Sequence, residues 1–252
     1  MIEVHVLASG SDGNCIIVRT PEGSVMIDAG LNGKTLMDRM GRVGVQGEEL
    51  SAILLSHEHI DHVRGAGVLS RRLKVPVMGN MNTLANSNIG KVEYRYFNTN
   101  SQFSVEGIDI TPLPTSHDAV EPNAFLIRQG DDSVLIATDT GIMTSPVETA
   151  MRDVGVAVIE SNYDEKMLQD GPYPLYLKRR IAGECGHLSN VDCGISLRNT
   201  MGNGRKIFLA HLSKNNNTPD AARDTVARIT GIKRMNIDCL EFLGDYRTIK
   251  TL

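Results

Sequence analysis

Three imidazoles and two carboxylates lie within the six residues 57–62, which read HEHIDH. Imidazole and carboxylate groups are common protein ligands of divalent metal ions. In an extended segment, residues i and i+2 point to one face, so His57 and His59 can bind one ion together. On a helix these two side chains would point to nearly opposite sides. Asp61 and His62 lie past the turn and can serve a second ion.

Two other kinds of site are excluded by the residues present. The zinc-protease helix pattern H-E-x-x-H would need a histidine where Asp61 stands, so a helical metalloprotease is excluded. The turn Ser9–Asn14 contains two glycines but has no Lys-Ser/Thr ending, so it is not a P-loop. We expect a structural turn beneath a site there, from which Ser11 and Asn14 could reach a substrate.

Four apolar runs along the chain end in a residue that can bind a metal ion. Such runs predict strands, and loops that follow the ends of strands often carry functional sites. The four residues are His57, His117, Asp139 and His211. Of the seven histidines, only His5 lies within a valine-rich strand pattern, where a core or edge position is expected.

The composition predicts a globular protein with a sizeable core. Of the 252 residues 41% are hydrophobic, and a net charge of −4 indicates neither a disordered acidic chain nor a wholly basic nucleic-acid coat. No apolar run approaches the ~20 residues of a membrane helix, and the first residues lack the basic start of a signal peptide. The four cysteines form no C-x-x-C pair, so we expect reduced thiols, a cytoplasmic location and no membrane partner.

Charge is unevenly distributed along the sequence. Residues 99–171 contain thirteen acidic and three basic side chains, whereas residues 176–214 contain seven basic and two acidic ones. Such a division is typical either of solvated surface or of a cation-binding region beside an anion-binding one. The sequence leaves both interpretations open.

Short runs rich in Val and Ile alternate with amphipathic stretches. They predict strands at Ile2–Leu7, Asn14–Arg19, Ser24–Asp28, Ala52–Ser56, Pro76–Met78, Ile108–Leu113, Ala124–Arg128, Ser133–Thr138, Val156–Glu160, Lys206–Ala210 and Asp238–Phe242. They predict helices at Lys34–Val43, His62–Leu73, Met81–Asn88, Pro146–Val154, Tyr173–Ile181, Asn190–Thr200 and Pro219–Ile229. The pattern favours an α/β (α+β) fold in helix–sheet–sheet–helix layers, and we expect residues 1–252 to form a single domain.

The segment 57–62 resembles the H-x-H-x-D-H signature of metallo-β-lactamase-fold hydrolases. His117, Asp139 and His211 fall at the later ligand positions of that family. Further segments are similar to its YycJ/WalJ branch, namely Ser9–Asn14, Ile27–Gly30, Glu160–Asn162, Gly171–Pro174, Leu177–Arg180, Gly186–Asn190 and Phe208–Ser213. The resemblance covers nearly the whole chain. It implies a four-layer αββα metallo-β-lactamase sandwich, two mixed sheets flanked by helices, and a cytoplasmic metal-dependent nuclease.

The resemblance also implies a site for two divalent metal ions. One ion would be bound by His57, His59 and His117, the other by Asp61, His62 and His211, and Asp139 would bridge both. Nitrogen and oxygen ligands without a thiolate suit Zn²⁺, Mn²⁺ and Fe²⁺, so the ligand set does not determine which of these metals binds. A hydroxide bridging the ions would attack a phosphodiester, and Asp61 could orient that water. Some antibiotic-hydrolysing relatives carry Cys where Asp139 stands, which argues against that activity.

Residues outside this ligand set are predicted to contact the substrate. His187 is similar in position to the histidine of the His-Ser/Thr motif in tRNase Z, so we expect it to protonate the leaving oxygen or bind phosphate. The basic run Lys178, Arg179 and Arg180 could neutralise phosphates along a nucleic-acid strand, or it could be a solvated helix face. We expect Ser189 to cap a helix, together with its neighbour Asn190.

The sequence also gives expectations for one aspartate and three tyrosines. We expect Asp28 to brace the metal-binding loop by hydrogen bonds rather than to bind metal. Tyr173 and Tyr176 are expected to pack in the core rather than to stack on a base. Tyr163 stands where some members of the branch carry His, so activity could differ here.

The favoured function is a dinuclear phosphodiesterase that acts as a 5′-to-3′ exonuclease on DNA, with RNA as a possible substrate. One alternative is a small-molecule phosphodiesterase or thioester hydrolase on the same scaffold. Another is a non-enzymatic partner in a signalling pathway. The sequence does not determine the native metal, the polarity of cleavage or the oligomeric state.

Overall fold

Two mixed β-sheets form the centre of the molecule. The structure, a computed structural model, describes residues 1–201, 205–240 and 247–251. Its strands are β1 (Glu3–Ala8), β2 (Cys15–Arg19), β3 (Ser24–Ile27), β4 (Leu50–Leu54), β5 (Val77–Gly79), β6 (Tyr94–Tyr96), β7 (Phe103–Val105), β8 (Ile108–Pro114), β9 (Asn123–Gln129), β10 (Asp132–Ala137), β11 (Val156–Glu160), β12 (Lys206–Ala210), β13 (Ile237–Cys239) and β14 (Arg247–Lys250). Its helices are α1 (Gly33–Arg42), α2 (Ile60–Val63), α3 (Ala66–Leu73), α4 (Met81–Asn86), α5 (Ser145–Met151), α6 (Glu165–Asp170), α7 (Leu175–Ile181), α8 (Asn190–Asn199) and α9 (Pro219–Thr230).

The strand order places the carboxyl ends of several strands at the same edge of each sheet. One sheet runs β14-β1-β2-β3-β4-β5-β6 and the other runs β13-β12-β11-β10-β9-β8-β7. Strands β3 to β6 are parallel neighbours in the first sheet, as are β10 to β13 in the second. Parallel neighbours end at the same edge of a sheet, so the loops that follow β3, β4, β10, β11 and β12 can meet at one rim.

Side-chain alternation divides the core into layers. In β1 and β2, Val4, Val6, Ile16 and Val18 point toward the other sheet, whereas Ile17 points to the outer face. Successive strand residues face opposite sides, so each strand contributes to two apolar layers. The layer between the sheets receives buried side chains from both of them.

Helices cover the outer face of each sheet. α1 and α3 pack on the first sheet through residues such as Leu36 and Leu69, and α5, α8 and α9 pack on the second through residues such as Val147 and Val226. The four-layer αββα arrangement predicted from the sequence is therefore confirmed. The longest of these helices has 12 residues. Within the described parts of the chain, no helix has the length and apolar character needed to cross a bilayer.

One predicted helix and several boundaries were wrong. The pattern predicted a continuous helix over His62–Leu73, but the chain forms α2 and α3 with a break at Gly65. The Gly65 amide donates to the carbonyl of Ala29 at 2.7 Å, because the loop after β3 lies against this segment. The short elements β6, β7 and α6 were not predicted. Of the predicted strand Asp238–Phe242, residues 241 and 242 lie outside the described residues.

Gly30 lies where two loops beneath the site touch. Its amide donates to the carbonyl of Asn14 at 2.8 Å, and a Cβ atom there would lie 1.6 Å from the carbonyl oxygen of Asp61. Overpacking a protein interior typically costs ~1–3 kcal/mol. We expect Gly30→Ala to lower the free energy of unfolding by an amount near the upper end of that range. Chemical denaturation measures this change.

Gly41 in α1 is the matched control for that substitution. A Cβ atom at Gly41 meets nothing within 4 Å. Because alanine favours a helix more than glycine does, Gly41→Ala should raise the free energy of unfolding by about 0.5–1 kcal/mol. Equal effects of the two substitutions would contradict the close approach at Gly30.

Candidate metal centre

Residues just beyond the strand ends form a cluster of imidazoles and carboxylates. His57 follows β4, His117 follows β8, Asp139 follows β10 and His211 directly follows β12. All four are buried. The four residues that follow the predicted strands therefore come together in the tertiary structure.

Three carboxylate or imidazole residues at these strand ends have a left-handed backbone. The φ angles are 59° for Asp28, 55° for Asp139 and 56° for His211. This conformation costs a residue other than glycine of the order of 1 kcal/mol or more, and such strain is concentrated at functional sites. Here it turns each side chain away from its strand and toward the shared rim.

The first group consists of His57, His59 and His117. Nε2 of His57 lies 3.1 Å from Nδ1 of His59. Ser56 donates its hydroxyl hydrogen to Asp28 at 2.8 Å, so it accepts from Nδ1 of His57 at 2.9 Å. Nδ1 of His117 donates to the carbonyl of Gly186 at 2.9 Å. These bonds leave the lone pairs on Nε2 of His57 and Nε2 of His117 directed toward the cluster, where a cation could replace the contact between His57 and His59.

The second group consists of Asp61, His62 and His211. Nδ1 of His62 donates to Asp28 at 2.7 Å, and its Nε2 lies 3.5 Å from Oδ2 of Asp61. Nδ1 of His211 donates to Glu160 at 2.9 Å. Its Nε2 is buried and has no hydrogen-bond partner among the described residues. Both imidazoles thus present Nε2 to the same space.

Asp139 lies between the two groups. Its Oδ2 is 3.2 Å from Nε2 of His62, and its Oδ1 is 3.8 Å from Nε2 of His117. The same Oδ1 also lies 3.5 Å from Nδ1 of His211. The carboxylate of Asp139 therefore lies near imidazoles of both groups, where it could contact a cation in either of them.

The spacing of these atoms fits divalent cations. Two nitrogen ligands that each lie ~2.1 Å from one ion at a tetrahedral angle are about 3.4 Å apart. Within each group, ligand atoms lie within 4.8 Å of one another. Oδ2 of Asp139 lies near His62 but makes no properly aligned hydrogen bond, and like Nε2 of His211 it is buried and unpartnered among the described residues. Buried polar atoms without partners are costly, and a cation would satisfy both of them.

The electrostatics of the site also favour cations. Burial, together with the neighbouring His62, lowers the pKa of His57 well below its usual range, so this imidazole is neutral and able to bind metal. Burial also opposes charge on His62, but Asp28 and Asp139 outweigh it and raise its pKa. In the same way Asp139 and Glu160 outweigh burial and raise the pKa of His211 to about 9. An excess of buried carboxylate attracts positive charge, which metal ions would supply.

Asp28 braces the metal-binding loop from behind, as the sequence predicted. Its Oδ1 accepts from the amide of Ser56 at 2.8 Å, and its Oδ2 accepts from the Ser56 hydroxyl and from Nδ1 of His62. One carboxylate thereby fixes the ring orientation of His62 directly and that of His57 through Ser56. A carboxylate behind a metal-binding imidazole typically contributes 10–100-fold to metal affinity.

We therefore expect Asp28→Asn to weaken metal binding by roughly 10–100-fold. Asparagine tolerates the left-handed backbone, so the change removes charge and one acceptor and leaves the fold in place. Competition with a chromogenic chelator measures the affinity. Asp12→Asn is the control, because Asp12 is exposed and pairs with Lys214 on the surface. A loss of affinity equal to that of Asp12→Asn would contradict the bracing role.

Glu160 is a site residue to which sequence reasoning assigned no role. It is fully buried at the end of β11, and its Oε1 accepts from Nδ1 of His187 at 2.8 Å and from Nδ1 of His211. Its Oε2 accepts from the amide of Thr140 at 2.8 Å. The signal was present in the sequence, because Val156–Glu160 is another apolar run that ends in a carboxylate.

His187 lies at the edge of the cluster and is partly open to solvent, with 22% of its side chain exposed. Its ring centroid is 5.2 Å from that of His117 and 5.2 Å from that of His211. Because Nδ1 donates to Glu160, Nε2 is the ring nitrogen available to a bound molecule. Ser189 accepts from the amide of Asp192 and is the N-cap of α8, as predicted. Asn190 does not share the capping role, because its side chain bonds Ser161 and Asn217 instead.

The predicted substrate-binding residues lie at different distances from the cluster. Nδ2 of Asn14 is 3.0 Å from Nε2 of His62, so this side chain belongs to the site, whereas Ser11 is exposed in the preceding turn. Arg180 pairs with Asp118 at 2.6 Å, and Asp118 lies 3.4 Å from Nε2 of His117. The neighbouring Lys178 donates to the carbonyl of Gln169, and Arg179 is exposed.

One expectation about the tyrosines was wrong. Tyr176 is 74% exposed, so it does not pack in the core. Tyr173 is half-buried, and its hydroxyl accepts from Asn215 at 2.7 Å. Tyr163 is buried beside α8, where burial raises the pKa of its hydroxyl to about 12.

A layered αββα sandwich with histidines and carboxylates at the rim of its sheets defines a metallo-β-lactamase-fold protein. Residues 8–151 match the family described as the metallo-beta-lactamase superfamily. The chain belongs to this superfamily and, within it, to the YycJ/WalJ-like branch. That branch is indicated by two relatives that align over most of the chain.

The first relative is exodeoxyribonuclease WalJ of Streptococcus pneumoniae serotype 2. It is 36% identical over 229 residues, which cover 88% of this chain and 85% of WalJ. Exodeoxyribonuclease YycJ of Bacillus anthracis is 34% identical over 234 residues, which cover 90% of this chain and 89% of YycJ. The branch predicted from the sequence motifs is thus confirmed.

Solved structures share the fold at low sequence identity. The metallo-beta-lactamase fold protein YhfI from Bacillus subtilis has a TM-score of 0.74 at 16% identity and covers 99% of this chain and 100% of its own. Zn²⁺-bound PqqB from Methylobacterium extorquens has a TM-score of 0.72 at 14% identity and covers 98% of this chain and 99% of its own. These likenesses establish the architecture and not the substrate.

Proposed function

We propose that this protein is a metal-dependent phosphodiesterase that acts as a 5′-to-3′ DNA exonuclease. The observation that carries the proposal is Asp139, whose buried carboxylate lies between two groups of imidazoles and within 4 Å of a histidine in each group. Such a pair of groups suits two divalent ions, which clamp the attacking and leaving oxygens of phosphoryl transfer. The relatives named exodeoxyribonucleases support DNA as the substrate.

Each predicted ligand has a part in the proposed site. The first ion would be held by His57, His59 and His117, the second by Asp61, His62 and His211, and Asp139 would contact both. When bound, Zn²⁺, Mn²⁺ or Fe²⁺ would act as Lewis acids that neutralise charge on the phosphate. All the proposed ligand atoms are nitrogen or oxygen, which is compatible with any of these three ions.

The chain itself would supply the proton transfer and the orientation of water. Nε2 of His187 is free to give a proton to the departing oxygen, since Glu160 holds Nδ1. Burial opposes charge on His187, but Glu160 outweighs it and raises the pKa of the ring, which favours the protonated form that a general acid needs. Asp61 remains a carboxylate there, because His62 outweighs burial and lowers its pKa, and it can accept a hydrogen bond from the attacking water.

We also propose that residues 1–252 form one folding unit. Strand β14, near the carboxyl end of the described chain, pairs with β1 from Glu3↔Lys250 to Val6↔Arg247. The amide of Ile2 donates to Thr251 at 2.8 Å, which extends the contact between the two ends. Because both ends of the described chain pair in one sheet, dividing these residues into two separately folding parts would break that sheet.

The activity is tested on linear duplex DNA labelled at either the 5′ or the 3′ end, with Mn²⁺ or Zn²⁺ added. A 5′-to-3′ exonuclease releases the 5′ label at once as a mononucleotide, whereas the 3′-labelled strand shortens gradually. Chelation with EDTA should stop both reactions. An RNA strand of the same sequence distinguishes a deoxyribonuclease from a general nuclease.

Two outcomes would contradict the proposal. No cleavage of any strand by the metal-loaded protein would exclude a nuclease. Cleavage of small phosphodiesters or thioesters whose rate does not depend on salt would instead favour a small-molecule hydrolase, because a nuclease that contacts several phosphates weakens steeply as salt rises.

A further inference from the structure

Helix α7 exposes large side chains beside the candidate metal centre. None of its seven residues is buried. Leu175 is 62% exposed and Tyr176 is 74% exposed, which makes Tyr176 the most exposed of the described tyrosines. Apolar and aromatic surface of this kind is unfavourable in water unless a partner covers it.

One face of α7 combines an aromatic ring with two cations. Tyr176, Arg179 and Arg180 occupy positions i, i+3 and i+4, so they are neighbours on the helix surface. Lys178 points elsewhere, because its Nζ donates to the carbonyl of Gln169 at 2.6 Å. Arg179 is exposed and pairs with no carboxylate among the described residues. Its charge is therefore available to an anion.

This face leads directly to the metal-binding residues. Arg180 pairs with Asp118, which lies 3.4 Å from Nε2 of His117. At the other end of the connection, the carbonyl of Ile181 in α7 accepts from the amide of His187 at 2.8 Å. A molecule bound at the cluster and extending past His187 would therefore pass along α7.

We propose that Tyr176 stacks on a nucleobase of the strand being cleaved, and that Arg179 binds a phosphate of the same strand. An exposed ring flanked by cations matches the two parts of single-stranded nucleic acid, which are flat bases and a charged backbone. The inference rests on the proposed function, since it takes a DNA strand to be the molecule at the metal centre. It adds a binding position outside the ligand set.

The test combines protein and substrate changes. Short single-stranded DNA oligonucleotides carry one abasic site at successive positions from the 5′ end, and the initial rate of nucleotide release gives kcat and KM. Tyr176→Ala should raise KM by about tenfold on intact DNA with kcat within about twofold, the size of one lost stacking contact. One of the abasic sites should replace the base that stacks on Tyr176. On that oligonucleotide the KM of the wild type should rise by the same factor, and Tyr176→Ala should raise KM no further.

Three controls separate stacking from other effects. Tyr176→Phe keeps the ring and should retain the wild-type KM. Met235→Ala removes another exposed side chain, which is 84% exposed. Met235 precedes β13, whereas His211 follows the parallel strand β12, so the two residues lie at opposite strand ends. This variant should leave kcat and KM unchanged. Hydrolysis of bis(p-nitrophenyl) phosphate, which has no neighbouring base, should be the same for Tyr176→Ala and the wild type.

The outcomes distinguish this inference from the proposed function. If the wild type releases nucleotides and Tyr176→Ala has an unchanged KM, the stacking position is wrong and the nuclease stands. If the Tyr176→Ala effect persists in full at every abasic position, the ring does not contact a base. A wild type that cleaves only the linear duplex would overturn the stacking position alone, and one that cleaves neither the duplex nor the oligonucleotides would overturn both proposals.

Discussion

Asp139→Asn is expected to reduce the nuclease rate more than about a hundredfold, beyond the 10–100-fold effect typical of residues behind the ligands. Asparagine has nearly the same shape but removes the negative charge and one of the two oxygens that face the imidazole groups. His211 and His62 outweigh burial and hold the pKa of Asp139 well below its usual range, so the wild-type group is a carboxylate. Metal analysis of the purified variant should show a loss of at least one bound ion per chain.

The control for this variant is Asp38→Asn. Asp38 is an exposed carboxylate in α1 that pairs with Arg42 on the surface, so its loss should leave rate and metal content unchanged. Circular dichroism of both variants shows whether the fold is retained. A folded Asp139→Asn protein with full metal content and full activity would exclude Asp139 as the shared ligand.

His187→Ala is expected to lower kcat on DNA by about 10²–10⁴-fold, the usual contribution of a general acid. The departing sugar oxygen of DNA is a strong base and needs a proton, which Nε2 of His187 is placed to give. By contrast, p-nitrophenolate leaves without a proton. The same variant should therefore hydrolyse bis(p-nitrophenyl) phosphate at nearly the wild-type rate.

The two substrates separate proton donation from other roles of His187. An equal loss on both would show that His187 binds phosphate or supports the metal ligands rather than donating a proton. Metal content provides a second readout, since it should match the wild type. Glu160→Gln is expected to lower the rate on both substrates, because Glu160 also accepts from Nδ1 of the proposed metal ligand His211.

Local sequence patterns predicted much of the fold. Alternation in segments such as Cys15–Arg19 determines which side chains lie between the sheets, and this information is contained within a few residues. The break at Gly65 was missed because it depends on a hydrogen bond to Ala29, which is distant in sequence. Short edge strands such as Tyr94–Tyr96 were missed because all their side chains are exposed, so the pattern carries no burial signal.

The sequence by itself determined the ligand types and the strands that carry them, because an apolar run followed by His or Asp is a local feature. Only the tertiary structure decided which nitrogen each imidazole presents and which carboxylate stands behind it. Glu160 holds His187 and His211 together, although 27 and 51 residues separate it from them. The tertiary structure likewise decided that Tyr176 is exposed to solvent. These outcomes depend on how distant segments pack, and hydrophobic spacing within one segment contains no information about its partners.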